Sequence, residues 1–173
     1  MNPTSPQGLQ ISTPTDTTIV LSRTFNAPRP LVWEAMFTPD KMRRWMLPPP
    51  GWTMTTCECD ARVGGALSIA WKSDEADPAM TLRGKFTEVA VHEHAIHTEE
   101  MALGTGEAIG SLIEKHAFSE SGGATAMRIT QTYKSKADRD GALASGMDQG
   151  MEACYQKLEA LLAPPAQASQ TAQ

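Results

Sequence analysis

The sequence predicts one α+β domain in which a curved antiparallel sheet of about seven strands wraps around a long C-terminal helix. Three observations support this fold class. Segments with a two-residue apolar period follow one another from residue 52 to residue 133. The connections between them are short and turn-rich, which favours an antiparallel meander over parallel units with long crossovers. An apolar stripe with helical spacing then fills the last periodic part of the chain.

The first predicted elements are one strand and two short helices. Residues 17–26 alternate between two faces, and Arg23 is the charged residue on the more apolar one. Pro30 can open a helix, because proline lacks only an N–H that the first turn does not use. Pro39 disfavours helix at the residue before it and can itself open a second helix, which ends at Trp45.

The remaining elements follow from spacing and turn residues. Six further strand candidates are 52–59, 66–72, 80–90, 94–101, 108–119 and 124–133. Gly84 is expected to relieve strand geometry where the sheet bends. Ser135 or Asp138 can then cap a single helix that runs to about Leu162.

Composition sets the limits of the domain and its environment. Residues 1–16 and 163–173 lack periodicity and are rich in small and polar residues, so we expect disordered tails around a domain of residues 17–162. A formal net charge of -5 argues against nucleic-acid binding, which needs a basic face. No apolar run is long enough to span a membrane. No secretory signal is recognised, and an odd number of cysteines (three) does not suggest a disulfide framework. The cytoplasm is therefore the expected compartment.

Five short motifs in a fixed order resemble a known superfamily. They are R-x-F-x-A-P-x-x-L-V-W from Arg23, T-P-D-x-x-x-x-W ending at Trp45, Asp60-x-Arg62-x-Gly64-Gly65, Gly84-x-Phe86-x-Glu88-Val89 and Gly146-Met147-x-x-Gly150. Over residues 17–162 the chain is similar to the START-like (SRPBCC) helix-grip superfamily. Within it, the chain is most similar to bacterial proteins related to the activator of heat-shock-protein-ninety ATPase. The resemblance implies a helix-grip fold with a largely apolar pocket between the sheet and the long helix.

A set of residues is expected to bind a small hydrophobic or amphipathic molecule in that pocket. Met46 and Met151 stand where the family often carries tryptophan, and methionine gives a softer, more adaptable wall. Gly146 and Gly150 share one face of the predicted helix, either to leave cavity volume or to allow close packing. The candidate ligand-binding residues are Arg23, Trp45, Met46, Trp71, Glu114, His116, Gln131, Met147, Gly150 and Met151.

The sequence leaves two interpretations open for the Glu114–His116 pair and two for Arg23. Glu114 and His116 share one face of a strand, either inside the pocket or as a solvent-facing charged pair. Inside it, the carboxylate could set the imidazole tautomer, but residues two apart lie about 7 Å from each other, so contact would need a water or a bent rotamer. Arg23 is either a polar anchor of the pocket or the ion-pair partner of an acid such as Glu34 or Asp60.

Three hypotheses of function remain at this point. The first is a module that binds a small hydrophobic molecule, and the second is an enzyme of the cyclase, aromatase or hydrolase type that uses His116, Glu114 or Arg23. The third is a chaperone-ATPase-activator-like interaction protein. A homodimer is left open, and no cofactor is expected. His92, His94 and His97 surround a predicted hairpin without the spacing of a metal site, so no metal is expected there.

Overall fold

In the computed structural model, which describes residues 8–74, 79–104 and 106–164, one antiparallel sheet is combined with four helices. The strands are β1 Gln10–Thr15, β2 Thr18–Phe25, β3 Trp52–Cys59, β4 Ala66–Ser73, β5 Ala79–Ala90, β6 His94–Leu103, β7 Glu107–Ser121 and β8 Ala124–Tyr133. The helices are α1 Arg29–Phe37, α2 Pro39–Trp45, α3 Lys136–Ala144 and α4 Met147–Leu162. The strand order is β1-β2-β8-β7-β6-β5-β4-β3, so β3 to β8 form the predicted meander and β2 joins its far end.

The predicted α+β fold class is confirmed, with one more strand than expected. β1 lies inside the segment predicted to be a disordered tail, so that part of the prediction is wrong. The strand cannot be recognised from the sequence, because its side chains are almost all exposed and show no apolar alternation. Its order comes from backbone pairing with β2, where Gln10 lies opposite Ser22. Residues 1–7 of that predicted tail, and residues 165–173 of the other, lie outside the described residues.

The single long C-terminal helix of the prediction is two helices. Ser135 caps α3 by accepting a hydrogen bond from the backbone N–H of Asp138 at 3.1 Å. The chain then turns at Gly146, whose φ of +77° places it in the left-handed region that glycine adopts without strain. α4 starts at the next residue, so Gly146 and Gly150 do not share a helix face.

The core lies between the inner face of the sheet and helices α1, α2 and α4. Tyr155 of α4 anchors this packing, with its ring 6.0 Å from that of Phe25 on β2 and 5.9 Å from that of Trp45 on α2. Leu158, one turn further, is fully buried. Burial of an aliphatic side chain of this size contributes about 1.5–3 kcal/mol, which fixes α4 across the sheet.

Gly84 allows β5 and β6 to approach each other closely. A Cβ atom at this position would lie 2.0 Å from the carbonyl oxygen of Thr98. The pairing of the two strands shifts its register shortly afterwards, between Phe86 and Glu88. Of the helices described, none has the length and apolar character needed to cross a membrane.

Candidate functional site

A row of polar side chains crosses the inner face of the sheet. His97 on β6 lies directly opposite Glu114 on β7, which in turn lies opposite Gln131 on β8. Directly paired residues share a face and have Cβ atoms about 4.5–5.5 Å apart. Register therefore brings together three polar residues that are far apart in sequence. We call these three, together with His116 and Tyr133, the polar cluster.

The polar cluster is joined by directed hydrogen bonds. Tyr133 Oη donates to Gln131 Oε1 at 3.0 Å, and Gln131 Nε2 donates to Glu114 Oε2 at 2.7 Å. The other carboxylate oxygen, Glu114 Oε1, lies 2.7 Å from His116 Nε2 and 3.9 Å from His97 Nε2. One oxygen of Glu114 is thus held by the amide while the other faces both imidazoles.

Aromatic side chains enclose the two histidines. The rings of His97 and His116 stack with centroids 5.4 Å apart. Phe37 of α1 meets His116 edge-on at 5.3 Å, and Phe86 of β5 meets His97 at 5.1 Å. His97 is 2% exposed and His116 4% exposed, so both imidazoles lie in a nearly water-free environment.

Burial and proximity set the protonation of the cluster. The pKa of His97 is lowered to about 4, mainly because the ring is buried. This imidazole is therefore neutral at neutral pH. Burial alone would raise the pKa of Glu114, but His116, His97 and the Gln131 amide together hold it below its ordinary value. Burial and the Glu114 carboxylate raise the pKa of Glu99 well above its ordinary value. The cluster therefore holds one ionised carboxylate beside a neutral imidazole.

A second group of interior side chains comes from β5, α3 and α4, and we call it the apolar rim. These side chains are half-buried and pack against the core: Met80, Leu82, Leu143, Met147 and Met151. Three buried side-chain polar atoms have no hydrogen-bond partner among the described residues: Arg23 Nε, Trp71 Nε1 and His116 Nδ1. The concave side therefore combines an adaptable apolar surface with unsatisfied polar groups.

Two open clefts lie away from the polar cluster. One of about 660 Å³ lies beside α4 and is lined by Leu9, Ile11 and Glu152 among others. The second, of about 340 Å³, is lined by residues of β2, β7 and β8 that include Arg23 and Phe118. Neither cleft is lined by a residue of the polar cluster.

Three predicted site residues meet in the polar cluster: Glu114, His116 and Gln131. Glu114 and His116 are 7% and 4% exposed, so the alternative of a solvent-facing charged pair is wrong. Their contact is direct at 2.7 Å and needs no bridging water, because the side chains bend towards each other.

Arg23 has partners that the sequence analysis did not consider. Its Nη1 donates to Glu152 Oε2 at 2.5 Å, and its Nη2 donates to Glu159 Oε2 at 2.7 Å. Both carboxylates belong to α4, so Arg23 ties this helix to β2. The alternative in which Arg23 pairs with an acid is confirmed. The two acids named as examples are wrong, since Glu34 contacts Lys41 and Asp60 contacts Arg62.

The other candidates take different positions. Trp45 is buried and donates from Nε1 to the Ala35 carbonyl oxygen at 2.8 Å, a structural bond between α1 and α2. Trp71 is buried on the inner face, and Met46, Met147 and Met151 are half-buried beside the core. Gly150 is exposed, and a Cβ atom there would meet nothing within 4 Å, so it supports neither close packing nor an enclosed cavity.

His97 is the functional candidate that the sequence analysis placed in the wrong context. Its position in the sequence groups it with His92 and His94 at a hairpin, but in the structure His97 is buried in the core, whereas His94 pairs with Glu88 at 2.5 Å. The inner face of β6 reads Ala95, His97 and Glu99, and a mixed face of this kind gives no periodic signal. Knowledge of the β6–β7 register would have found it, because only register shows the contact with Glu114.

An antiparallel sheet closed over a C-terminal helix, with a polar cluster on its concave face, defines a helix-grip domain of the START-like class. The chain belongs to the family described as activator of Hsp90 ATPase homolog 1-like protein, whose model matches residues 26–163. No curated protein matches the sequence.

Solved structures of bacterial proteins share this fold. A Rhodobacter sphaeroides protein is 25% identical, with a TM-score of 0.82 over 90% of this chain and 98% of its own. A Mycobacterium smegmatis protein is 20% identical, with a TM-score of 0.77 over 89% and 96%. An Arthrobacter aurescens protein is also 20% identical, with a TM-score of 0.75 over 95% and 98%. The likeness to the last two concerns the fold alone.

Proposed function

We propose that the protein binds a small amphipathic molecule on the concave side of its sheet, between the polar cluster and α4. The observation that carries the proposal is the buried chain of hydrogen bonds from Tyr133 through Gln131 to Glu114, in an interior that also contains the half-buried apolar rim. Small-molecule sites typically combine an apolar lining with a few convergent polar groups. The family and its fold are compatible with such a role.

The unsatisfied polar atoms support the same proposal. A buried donor or acceptor without a partner costs about 1–3 kcal/mol, and both Trp71 Nε1 and His116 Nδ1 are in this position. A ligand that hydrogen-bonds to either group would recover part of that cost. The ionised Glu114 carboxylate accepts hydrogen bonds, so the polar end of the ligand would carry a donor such as a hydroxyl or an amine N–H.

The apolar rim explains how a ligand could enter a site that is closed in the structure. Met80, Met147 and Met151 are half-buried and unbranched, so they can change rotamer at little cost. The apolar body of the ligand would replace contacts that these side chains make with the core. Met46 lies at the end of α2 and would influence which shapes fit.

A fluorescent titration tests the proposal. The probe is N-phenyl-1-naphthylamine, an uncharged apolar amine whose emission rises in an apolar site. We expect wild-type protein to bind it, Met151→Trp to weaken binding at least tenfold by filling space, and Glu114→Gln to weaken it less. Lys115→Gln is the matched control, because Lys115 is exposed on the opposite face of the same strand. Equal affinity in all four proteins would contradict the proposal.

Acid–base catalysis at the same place is a second candidate. The 2.7 Å contact between His116 Nε2 and Glu114 Oε1 is the arrangement in which a carboxylate orients a general base. Arg23 is not part of this proposed catalytic site, because both terminal nitrogens of its guanidinium are paired with α4 carboxylates. Hydrolysis of 4-nitrophenyl acetate is the test, and His116→Gln should reduce the rate about 10²–10⁴-fold. An unchanged rate would remove the candidate.

We also propose that the protein acts in the cytoplasm. Cys57, Cys59 and Cys154 are free thiols, which suits a reducing compartment. Burial is the main cause that raises the pKa of Cys59 to about 12, so this thiol is protonated and unreactive. Fractionation of the producing cells, with detection by antibody, would test the location.

A further inference from the structure

We propose that His97, Glu114 and His116 form a binding site for one divalent transition-metal ion of the Zn²⁺ type. One ring nitrogen from each histidine and one oxygen of Glu114 lie within 4.8 Å of one another. All three residues are buried, at 2%, 7% and 4% exposure. The inference does not depend on the small-molecule proposal, because it concerns only the inner half of the polar cluster.

Glu114 Oε1 is closer to one imidazole nitrogen, and farther from the other, than two ligands of one coordinated ion would be. Bonds of about 2.0–2.1 Å in tetrahedral geometry place two ligand atoms roughly 3.4 Å apart. Glu114 Oε1 is 2.7 Å from His116 Nε2, slightly too close, and 3.9 Å from His97 Nε2, slightly too far. Metal binding therefore requires the His116 ring to move away from Glu114 Oε1 and the His97 ring to move towards it.

Neighbouring groups already orient two of the three ligands. The Gln131 amide holds Glu114 Oε2, which leaves Oε1 directed at the imidazoles, and Tyr133 in turn fixes that amide. His97 Nδ1 faces the Thr98 carbonyl oxygen at 3.4 Å and Glu99 Oε1 at 3.7 Å. With Nδ1 turned to these oxygens, Nε2 is free to coordinate. Metal-binding histidines and carboxylates are usually held in this way by an outer layer of hydrogen bonds.

The ligand set selects the kind of metal. Two imidazoles and one carboxylate suit Zn²⁺, Fe²⁺ or Co²⁺, whereas Ca²⁺ and Mg²⁺ prefer an all-oxygen set. Three protein ligands leave a coordination position open for water or for a bound molecule. The stacked and edge-on aromatic rings of Phe37, Phe86 and Phe118 limit the water that could compete for the ion.

Cobalt absorption spectroscopy of the full chain tests this site. Metal is removed with a chelator, Co²⁺ is added stepwise, and the visible bands of four- or five-coordinate cobalt are recorded. We expect one ion per chain for the wild type, and at least a hundredfold loss of affinity in His97→Gln, Glu114→Gln and His116→Gln. His94→Gln is the control, since His94 lies on the same strand and pairs with Glu88 outside the cluster.

The wild type provides a second test that needs no variant to fold. The sequence contains four histidines, and long-range ¹H–¹⁵N spectra report the ring nitrogens of each. On addition of one equivalent of Zn²⁺, two rings, those of His97 and His116, should shift, and thermal unfolding should move to a higher temperature. The proposal is overturned if Co²⁺ binding is absent, if the three variants bind like the wild type, or if only His92 and His94 shift.

Discussion

His97 of β6 lies opposite Glu114 of β7 because the pairing of the two strands shifts by one residue near their turn. Met101 pairs with Gly110 but Ala102 pairs with Ala108, so Ile109 is an extra residue in β7. Without the shift, His97 would lie opposite Ile113, a residue that is 52% exposed in the structure. One additional residue in a hairpin therefore assembles the polar cluster.

Removal of the Glu114 carboxylate should destabilise the fold. Glu114→Ala leaves two buried imidazoles and the Gln131 amide without their shared partner, and we expect the free energy of unfolding to fall by about 3 kcal/mol. Urea denaturation measures this change. Lys115→Ala on the exposed face of the same strand should change it by less than about 0.5 kcal/mol. Similar losses in the free energy of unfolding for the two variants would show that the contacts of Glu114 do not stabilise the fold.

Arg23 should be irreplaceable by lysine as the connection between β2 and α4. Its planar guanidinium reaches Glu152 and Glu159 from two different nitrogens, which the single ammonium of lysine cannot reproduce. Arg23→Lys should increase amide hydrogen exchange throughout α4 while β4 and β5 remain protected. Arg62→Lys is the control, since Arg62 forms an exposed pair with Asp60. Unchanged exchange in α4 of the Arg23 variant would refute this role.

Gly84 should tolerate no side chain, whereas another strand glycine should tolerate one. In Gly84→Ala the new Cβ meets the backbone oxygen of Thr98 at 2.0 Å, so β5 and β6 must separate. We expect a loss of about 2–3 kcal/mol, within the range of overpacking. Gly110→Ala introduces a Cβ with nothing within 4 Å and should leave stability almost unchanged. Thermal unfolding of both variants measures these changes in stability. An unchanged stability of Gly84→Ala would contradict the close approach of β5 and β6.

The two glycines at the start of α4 should respond in opposite directions. Gly150 lies inside the helix with open space around it, so Gly150→Ala should raise the free energy of unfolding by about 0.5–1 kcal/mol. Gly146 has a φ of +77°, so Gly146→Ala should lower it by about 1–2 kcal/mol. Guanidinium denaturation of the two variants measures both signs. Stabilisation by both would mean that α3 and α4 are one continuous helix.

Sequence periodicity predicted most of the fold because apolar alternation and turn residues act locally. Seven strands and the two proline-started helices lie close to their predicted bounds. β1 could not be found, since it contributes backbone hydrogen bonds to the sheet and almost no apolar burial. The helix break at Gly146 was missed because Leu143, Met147 and Met151 keep helical spacing across it.

The candidate site was predicted only in part, for a reason of geometry. Glu114, His116 and Gln131 could be chosen from strand faces, but a face that mixes charged and apolar residues does not reveal which side is buried. The inclusion of His97 and the α4 partners of Arg23 depend on register and helix docking. Both are set by contacts distant in sequence, which one-dimensional patterns do not contain.

Native mass spectrometry tests the central claim, that the concave side binds a small amphipathic molecule, most directly. Wild-type protein, Met151→Trp and Lys115→Gln are purified identically and sprayed under non-denaturing conditions. We expect a single added mass on the wild type and on Lys115→Gln, which is released on denaturation and is reduced or absent in Met151→Trp. Wild-type protein at its bare mass that also fails to bind N-phenyl-1-naphthylamine would contradict the claim.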